Sequence, residues 1–390
     1  MNAKQIKHII HTLKDFYPCE RDFIPLHEPE FMGNEWDYVK ECLDSGWVSS
    51  VGQYVGAFEK KLAELTSIKH AVAVVNGTAA LHIALKVIGV TNDDEVLIPT
   101  LTFVATANAV AYCQAIPHLI DSDYETLGVN CEKLADYLED IAEMGDGVCY
   151  NKHTGRRIKA IIPMHTFGHP VKMDVLQRLC EAYQITIVED AAESLGSFYQ
   201  SQHTGSWGKL TAVSFNGNKI VTCGGGGAIL TNDESLAKTV RHLTTTAKVP
   251  HSWRFIHDSV AYNYRLPNIN AALGLAQLEQ LEYKLKCKRA LAKAYQEAFS
   301  ENDECKFYTE PFEAQSNYWF NALILNKDSV IDTVLEETNA NGIMTRPFWD
   351  PMHKLEMYKD CPQMDLSIAE DLFKRLINIP SSAWIGEPYV

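Results

Sequence analysis

A chain of 390 residues with 46% apolar composition can bury one large core or two modest ones, which excludes a peptide-sized module and a disordered segment. Thirty-five Lys plus Arg stand against 50 Asp plus Glu, a formal net charge of −15, and a surface that negative repels nucleic-acid phosphates and anionic membranes. Any anionic ligand must therefore enter a locally basic pocket, and no nucleic-acid or membrane partner is expected.

In chain order, Met1 to Phe16 sets Ile6, Ile9, Ile10, Leu13 and Phe16 among Lys4, Lys7, His8 and His11, which is helical spacing and not the form of a signal peptide. No uninterrupted apolar run approaches the roughly 20 residues that span a bilayer. The ten cysteines are scattered without a CxxC pair and read as reduced, mostly buried thiols of a cytoplasmic protein. Short apolar runs follow at Ala71 to Val75, Glu95 to Ile98, Ala160 to Pro163 and Ile185 to Val188. Each ends at small or polar residues and precedes helix-like periodicity, the pattern of strands buried on both faces in a parallel α/β sheet. Ligands gather at the carboxyl ends of such strands, which here carry Asn76-Gly77-Thr78, Thr100 to Phe103, His165 and Glu189-Asp190.

From about Leu266 the texture changes. Ala271 to Leu281, continuing to Leu291, predicts one long helix with Leu273, Leu275, Leu278 and Leu281 on an apolar stripe. Asn317 to Leu325 predicts a strand, and Val330 to Asn341 a helix stopped by Gly342. These features divide the chain into an N-terminal helical extension (1–22), a large domain (23–255) and a smaller α+β domain (256–390).

The chemistry concentrates in Ile187-Val188-Glu189-Asp190-Ala191-Ala192-Glu193 and in Ser214-Phe215-Asn216-Gly217-Asn218-Lys219, followed by Gly224 to Gly227. An acid at the end of a buried strand and a lysine in a turn-rich segment are what a pyridoxal phosphate (PLP) site requires. The lysine holds the aldehyde as a Schiff base, and the carboxylate keeps the pyridine nitrogen protonated. Singly, Asp190 reads equally well as a helix cap, and Lys219 as one more solvated amine. Val74 to Leu81 offers a phosphate cradle: a strand ends at Gly77, and a helix begins at Thr78 and Ala79 with free amides. Ser214 adds a second hydroxyl. A plain N-cap explains this stretch as readily. The glycine run has no Gly-Lys-Ser/Thr behind it, so it is no nucleotide loop but a flexible turn letting backbone pack near the lysine. Phe103 is placed either to stack on a planar ring or to fill core. His165 and His169 stand four apart, but Pro163, Gly168 and Pro170 break any helix there and no third ligand is beside them, so no metal is expected.

The series NGTAALHIAL, PTLTFVATANA, PMHTFGHP, VEDAAESLGS, SFNGNK, GGGGAILTND, YNYRLPNINAALGLAQLEQL and GIMTRPFW resembles, from Phe23 to Ser382, the DegT/StrS-type nucleotide-sugar aminotransferases, PLP enzymes of fold type I. SFNGNK and Asn378 to Ser382 further resemble the branch of legionaminic-acid and bacillosamine-like pathways. The resemblance implies an α/β fold, with a mostly parallel seven-stranded sheet between helices and a smaller C-terminal α+β domain. It implies Lys219 and Asp190 as catalytic residues. An active-site amine of this kind is expected to be exposed and to contribute little to the core. Phe103 would lie on the ring, Glu193 near its hydroxyl, and Gly77, Thr78, Ala79 and Ser214 around the phosphate. Asn263 would reach the phosphate from the second subunit of a homodimer with shared active sites.

Two departures are visible: Glu193 stands where Gln or His is common, and Gly225 where Glu is frequent. His165, Arg265, Arg346 and His353 are the candidate substrate contacts, the arginines because anions need local guanidinium donors in so acidic a chain. The expected reaction moves the amino group of L-glutamate, through PLP and pyridoxamine phosphate, to a nucleotide-linked keto sugar for surface glycan. UDP and a 4-keto-6-deoxy-2-acetamido hexose are preferred on the branch resemblance alone. The rivals are a PLP-fold sugar dehydratase, which would carry histidine in place of Lys219, and a non-catalytic regulatory protein of the same fold.

Overall fold

The structure, a computed structural model, describes residues 3–17, 21–326 and 330–390. Helix α1 (Ala3–Lys14) opens the chain. A seven-stranded sheet follows, made of β1 (His70–Val74), β2 (Glu95–Pro99), β3 (Ile116–Ile120), β4 (Ile158–Ile161), β5 (Thr186–Asp190), β6 (Leu210–Ser214) and β7 (Gly227–Thr231). Its order is β1-β7-β6-β5-β4-β2-β3. Only β7 runs antiparallel to its neighbours. Because successive side chains point to opposite faces, Val72, Val74 and Ile229 enter one hydrophobic cluster, while Ala71, Ala73, Ala228 and Leu230 enter another. Both faces are covered, which is why these strands read as continuous apolar runs.

Helix α2 (Gly77–Val87) leaves the end of β1, and α3 (Val104–Tyr112) follows β2. The helix predicted from Ala271 to Leu291 is two helices, α4 (Asn268–Glu279) and α5 (Leu281–Ala298). The break falls at Gln280, whose backbone leaves helical geometry (φ −102°, ψ 0°) while its side chain donates to Glu35 Oε1 at 3.0 Å. The two halves also have different surroundings, α4 being buried round much of its circumference and α5 along one side. A second sheet, β8 (Cys305–Phe307), β9 (Asn321–Leu325), β10 (Arg346–Pro347) and β11 (Leu376–Ile379), is antiparallel throughout in the order β8-β9-β11-β10. The strand expected from Asn317 therefore starts only at Asn321. The four residues before it are irregular, with Tyr318 at φ 46°, because Asn317 and Trp319 are turned toward the end of the large sheet.

Ile6, Ile9, Ile10 and Leu13 of α1 are buried with Leu291 and Tyr295 of α5, Leu323 and Leu325 of β9, and Ile377 and Ile379 of β11. The first helix thus completes the core of the second sheet. No helix among the described residues is long and apolar enough to cross a membrane. Leu13 is fully buried, so Leu13→Ala should destabilise the protein by about 2–5 kcal/mol, read as a lower urea midpoint, with activity intact at temperatures where the variant remains folded.

Candidate active site

At the end of β5 two adjacent carboxylates face opposite ways and ionise differently. Glu189 accepts the backbone N–H groups of Gly205 (2.7 Å), Trp207 (2.8 Å) and Gly208 (2.5 Å) and pairs with His165 Nε2 at 2.9 Å. Burial works to raise its pKa, but His165 and these donors outweigh it and hold the group below the usual carboxylate range. Asp190 has fewer partners, accepting from Thr106 Oγ1 at 2.7 Å and the Ala192 N–H at 3.2 Å. Burial raises its pKa against the opposing pull of Thr106, Ala192 and the Lys219 charge. No helix follows Asp190, so the capping reading of this aspartate does not hold. A carboxylate so placed lacks a full set of partners of its own and is stabilised by a cationic one.

Lys219 sits in the excursion between β6 and β7. That excursion is pinned by Phe215, whose N–H donates to Gly226 O at 2.9 Å and whose buried ring meets Phe58 edge-on at 5.0 Å. The amine donates to Glu193 Oε1 at 3.3 Å and lies 3.5 Å from the centre of the Trp319 ring. It is not the exposed amine expected from the sequence, since the side chain is 13% exposed. Glu193 and the indole of a distant segment cover it. Burial lowers the lysine's pKa, with Glu193 and Asp190 opposing. Burial also pushes Glu193 up to about 7, although Lys219 and the Phe167 N–H, which donates to Glu193 Oε2 at 2.9 Å, act the other way. Phe167 delivers that N–H from a left-handed backbone (φ 55°), a conformation that costs a bulky residue energy.

The start of α2 lies against the ends of β6 and β7. Asn76 caps the helix, accepting the Ala79 N–H at 2.8 Å, so Ala79's amide is already taken and it does not join the cradle expected of it. The amides of Gly77 and Thr78 belong to the first turn, whose N–H groups have no intrahelical acceptor. A Cβ on Gly77 would stand 3.0 Å from Ser214 Cβ, and one on Gly227 2.4 Å from the Asn76 carbonyl carbon. The glycine run therefore does more than turn: its last member opens β7 and lets the strand press against the helix start, bringing Ser214 to Gly77.

Phe103 precedes α3 with its ring half exposed, edge-on to Trp349 at 6.0 Å, free to cover a flat ligand. Asn263 and Arg265 lie on a segment paired to the end of β1, where the Val75 N–H donates to Tyr264 O at 2.9 Å. Asn263 is exposed and accepts from Arg265 Nε at 3.3 Å. Two substrate candidates, His165 and His353, are held by structural partners, and a third, Arg346, uses only one guanidinium nitrogen locally. His165 is wholly buried, its Nδ1 accepting the Val171 N–H at 3.2 Å and its Nε2 facing Glu189. His353 is tied to Thr100 Oγ1 (2.8 Å) and Glu370 Oε1 (3.1 Å). The exposed Arg346 donates to Asn339 Oδ1 (3.0 Å) and Thr345 O (2.8 Å). Among the described residues no group of His, Cys, Asp and Glu side chains is arranged to hold a metal ion.

Sequence reasoning did not single out three residues of this cluster. Thr106, one turn beyond Phe103, was within reach because it sits in the same motif. Asn317, whose Nδ2 donates to the carbonyls of Glu193 (2.8 Å) and Leu195 (2.9 Å), and Trp319, whose Nε1 donates to Asn218 O at 2.8 Å, gave no local signal.

Residues 30–387 match the model of the DegT/DnrJ/EryC1/StrS aminotransferase family. The chain belongs to that family. It is therefore a PLP-dependent aminotransferase of fold type I. It is 36% identical over 359 residues to the GDP-perosamine synthase of Escherichia coli O157:H7, covering 92% of this chain and 93% of that one. The solved DegT DnrJ EryC1 StrS aminotransferase from Brucella abortus superposes with a TM-score of 0.81 at 28% identity, covering 90% of this chain and 91% of its own. DesI, solved in the presence of its TDP-sugar product, gives a TM-score of 0.81 at 25% identity over 95% of this chain and 91% of its own.

The residues present fit PLP. The glycine-lined cradle with two amides and the Thr78 and Ser214 hydroxyls suits a phosphate, the buried amine suits an aldehyde, and the under-partnered Asp190 suits a protonated ring nitrogen.

A pH effect follows from Glu193. The cofactor-free folded chain keeps its proton up to about pH 7, whereas the unfolded chain releases it near 4.3. Stability from this group is thus full at low pH and lost as pH rises through that window, on the order of 3 kcal/mol. Buried histidines such as His169 and His203, held neutral by burial, push total stability the other way over this range, so the group is read by difference: the urea midpoint of the wild type relative to that of Glu193→Gln should fall between pH 5 and 7.5.

Proposed function

We propose that this enzyme moves the amino group of L-glutamate to the keto carbon of a nucleotide-linked sugar, for use in surface polysaccharide. The observation that carries the reading is the covered Lys219 amine beside Glu193, at the strand end that holds Asp190, in a chain with a GDP-perosamine synthase and a TDP-sugar enzyme among its relatives. Those two relatives name different nucleotides, so neither supports the UDP preference, which rests on the SFNGNK and Asn378 to Ser382 motifs. A lysine at position 219 disfavours the dehydratase reading.

PLP, when bound, supplies an aldehyde that takes up the amino group and a ring that draws electrons from the adjacent carbon. The chain's own residues do the rest. Lys219 tethers the aldehyde and, once displaced, its lowered pKa lets the amine carry a proton between donor and acceptor carbons. Asp190 supplies the fixed negative charge behind the ring nitrogen. Glu193 holds the amine in place and is the acid nearest to it. Gly77, Thr78 and Ser214 bind phosphate, Phe103 covers the ring, and Arg265 meets a carboxylate or diphosphate.

We also propose a homodimer with shared sites. Trp36 (81% exposed), Trp253 (79%), Phe255 (82%) and Val260 (93%) leave large apolar side chains in water, and two-fold closure is the commonest way of covering such surface. Asn263, which faces Arg265 and solvent in its own subunit, is then available to the neighbour's phosphate. The nine described cysteines are all unpaired, in keeping with a reducing, cytoplasmic setting.

Incubation with L-glutamate and a panel of GDP-, TDP- and UDP-linked 4-keto sugars should give 2-oxoglutarate and an aminated sugar nucleotide by mass. Turnover of none of them would reject the sugar assignment. Asp190→Asn should lower turnover about 100-fold or more while shifting stability by no more than about 1 kcal/mol; near-normal turnover would remove Asp190 from the chemistry. Mixed dimers of Lys219→Ala and Asn263→Asp subunits should recover part of the activity that each parent lacks. No recovery despite subunit exchange would confine Asn263 to its own subunit.

A further inference from the structure

Helix α5 turns two lysines one helical turn apart into the interior. Lys284 is 3% exposed and Lys288 fully buried, and neither makes a salt bridge among the described residues. Lys288 Nζ donates to two backbone carbonyls, that of Trp319 at 3.2 Å and that of Ser381. Lys284 Nζ donates to Gln277 Oε1 at 2.6 Å and to the carbonyls of Glu30 (3.3 Å) and Ile220 (3.4 Å). An ammonium withdrawn from water and met only by neutral acceptors is costly, and burial lowers Lys288 to about 7 and Lys284 to about 8. A methionine would fill either place at lower cost, so general stability is a poor reason for two such lysines.

Their acceptors suggest a better one. Trp319 is clamped at three points: its carbonyl by Lys288, its indole Nε1 by Asn218 O at 2.8 Å, and its ring by Phe320, stacked 3.8 Å away at 19°. The ring so fixed is the one lying 3.5 Å from the Lys219 amine. On the other side of Lys219, the carbonyl of Ile220 is held by Lys284. The carbonyls flanking the active-site lysine are thus both gripped by side chains from beyond residue 280. His27, whose Nδ1 is buried without a hydrogen-bond partner, feels the charges of Lys288, Lys284 and Lys219 together, so all three lysines belong to one neighbourhood.

We propose that Lys288 is a positioning residue for Lys219: by holding the Trp319 carbonyl it fixes the indole across the lysine amine and keeps that amine directed at Glu193. This rests on the reading of Lys219 as the cofactor lysine, but the contact it describes exists in the chain without cofactor and is tested there. An indole face attracts an ammonium group and not a neutral amine, so the Trp319 ring should register the protonation of Lys219. The other ionisable groups in the neighbourhood are Glu193 and Asp190, which face Lys219, and Glu30, His27, Lys284 and Cys287, which lie around Lys288.

The test uses the full chain labelled with 5-fluorotryptophan and freed of cofactor, followed by fluorine NMR across pH, with Trp319→Phe identifying the signal among those of the seven tryptophans. In the wild type the Trp319 signal should show a pH step that is absent from Lys219→Met. In Lys288→Met, which keeps the volume but removes the donor, that step should shrink by at least half although Lys219 is present, and the other tryptophan signals should stay in place. Lys288→Gln, too short to reach both carbonyls, should do the same. A step of undiminished size in either folded variant overturns the proposal. Loss of the fold in both would make Lys288 a stability residue and overturn it equally. Failure of the Lys219 assignment would appear separately, as a cofactor linked to another lysine while the Trp319 step behaves as described.

Discussion

A primary amine kept out of water next to carboxylates that are themselves buried is the constraint on which the rest of this molecule depends. Lys219 is destabilised as an ammonium by burial and stabilised by Glu193 and Asp190, while both acids are pushed toward their neutral forms by the same burial. Such a cluster persists only where a rigid scaffold fixes each member. Here the members come from the end of β5, the turn after it and the excursion between β6 and β7, all on the large sheet. The cover comes from Trp319, just ahead of β9. The antiparallel β7 is part of the same device, because Gly227 at its start admits the backbone of Asn76 and so sets the first turn of α2 beside Ser214.

The contrast between neighbours Glu189 and Asp190 shows how one strand end is divided between structure and chemistry. Glu189, saturated by three N–H groups and His165, is settled as a carboxylate inside the protein. Asp190 is left with a hydroxyl and one N–H, and so retains capacity for a cation supplied from outside the chain. Glu193, which accepts from the Lys219 amine, brings a second acid against the lysine. Its partner Phe167 pays in backbone strain for the N–H it contributes.

The parallel sheet, its polar strand ends and the acid-lysine pair were legible because they are local: a strand buried on both faces is a continuous apolar run, and Asp190 and Lys219 stand at its punctuation. What escaped was whatever depends on distant segments. Trp319 and Asn317 read as strand residues and are instead turned to the lysine and to the turn after β5, respectively. The apolar stripe from Ala271 to Leu291 hid a break at Gln280, whose side chain is bonded to Glu35 on another helix. His165 and His353 stand at strand ends and in a motif, as ligand residues would, yet carboxylate and hydroxyl partners remote in sequence hold them as structural groups. Exposure of Lys219 was misjudged for the same reason, since the ring that covers it lies about a hundred residues away.

Lys219, and no other lysine, is proposed as the residue that holds the cofactor at this site. Reducing the PLP-loaded enzyme with borohydride would make that attachment permanent, and proteolysis with mass mapping would locate it. The added mass is expected on the peptide containing Asn218, Lys219 and Ile220, and its absence is expected after prior conversion of the cofactor by L-glutamate. Added mass on a peptide carrying Lys284, Lys288 or any other lysine would contradict it.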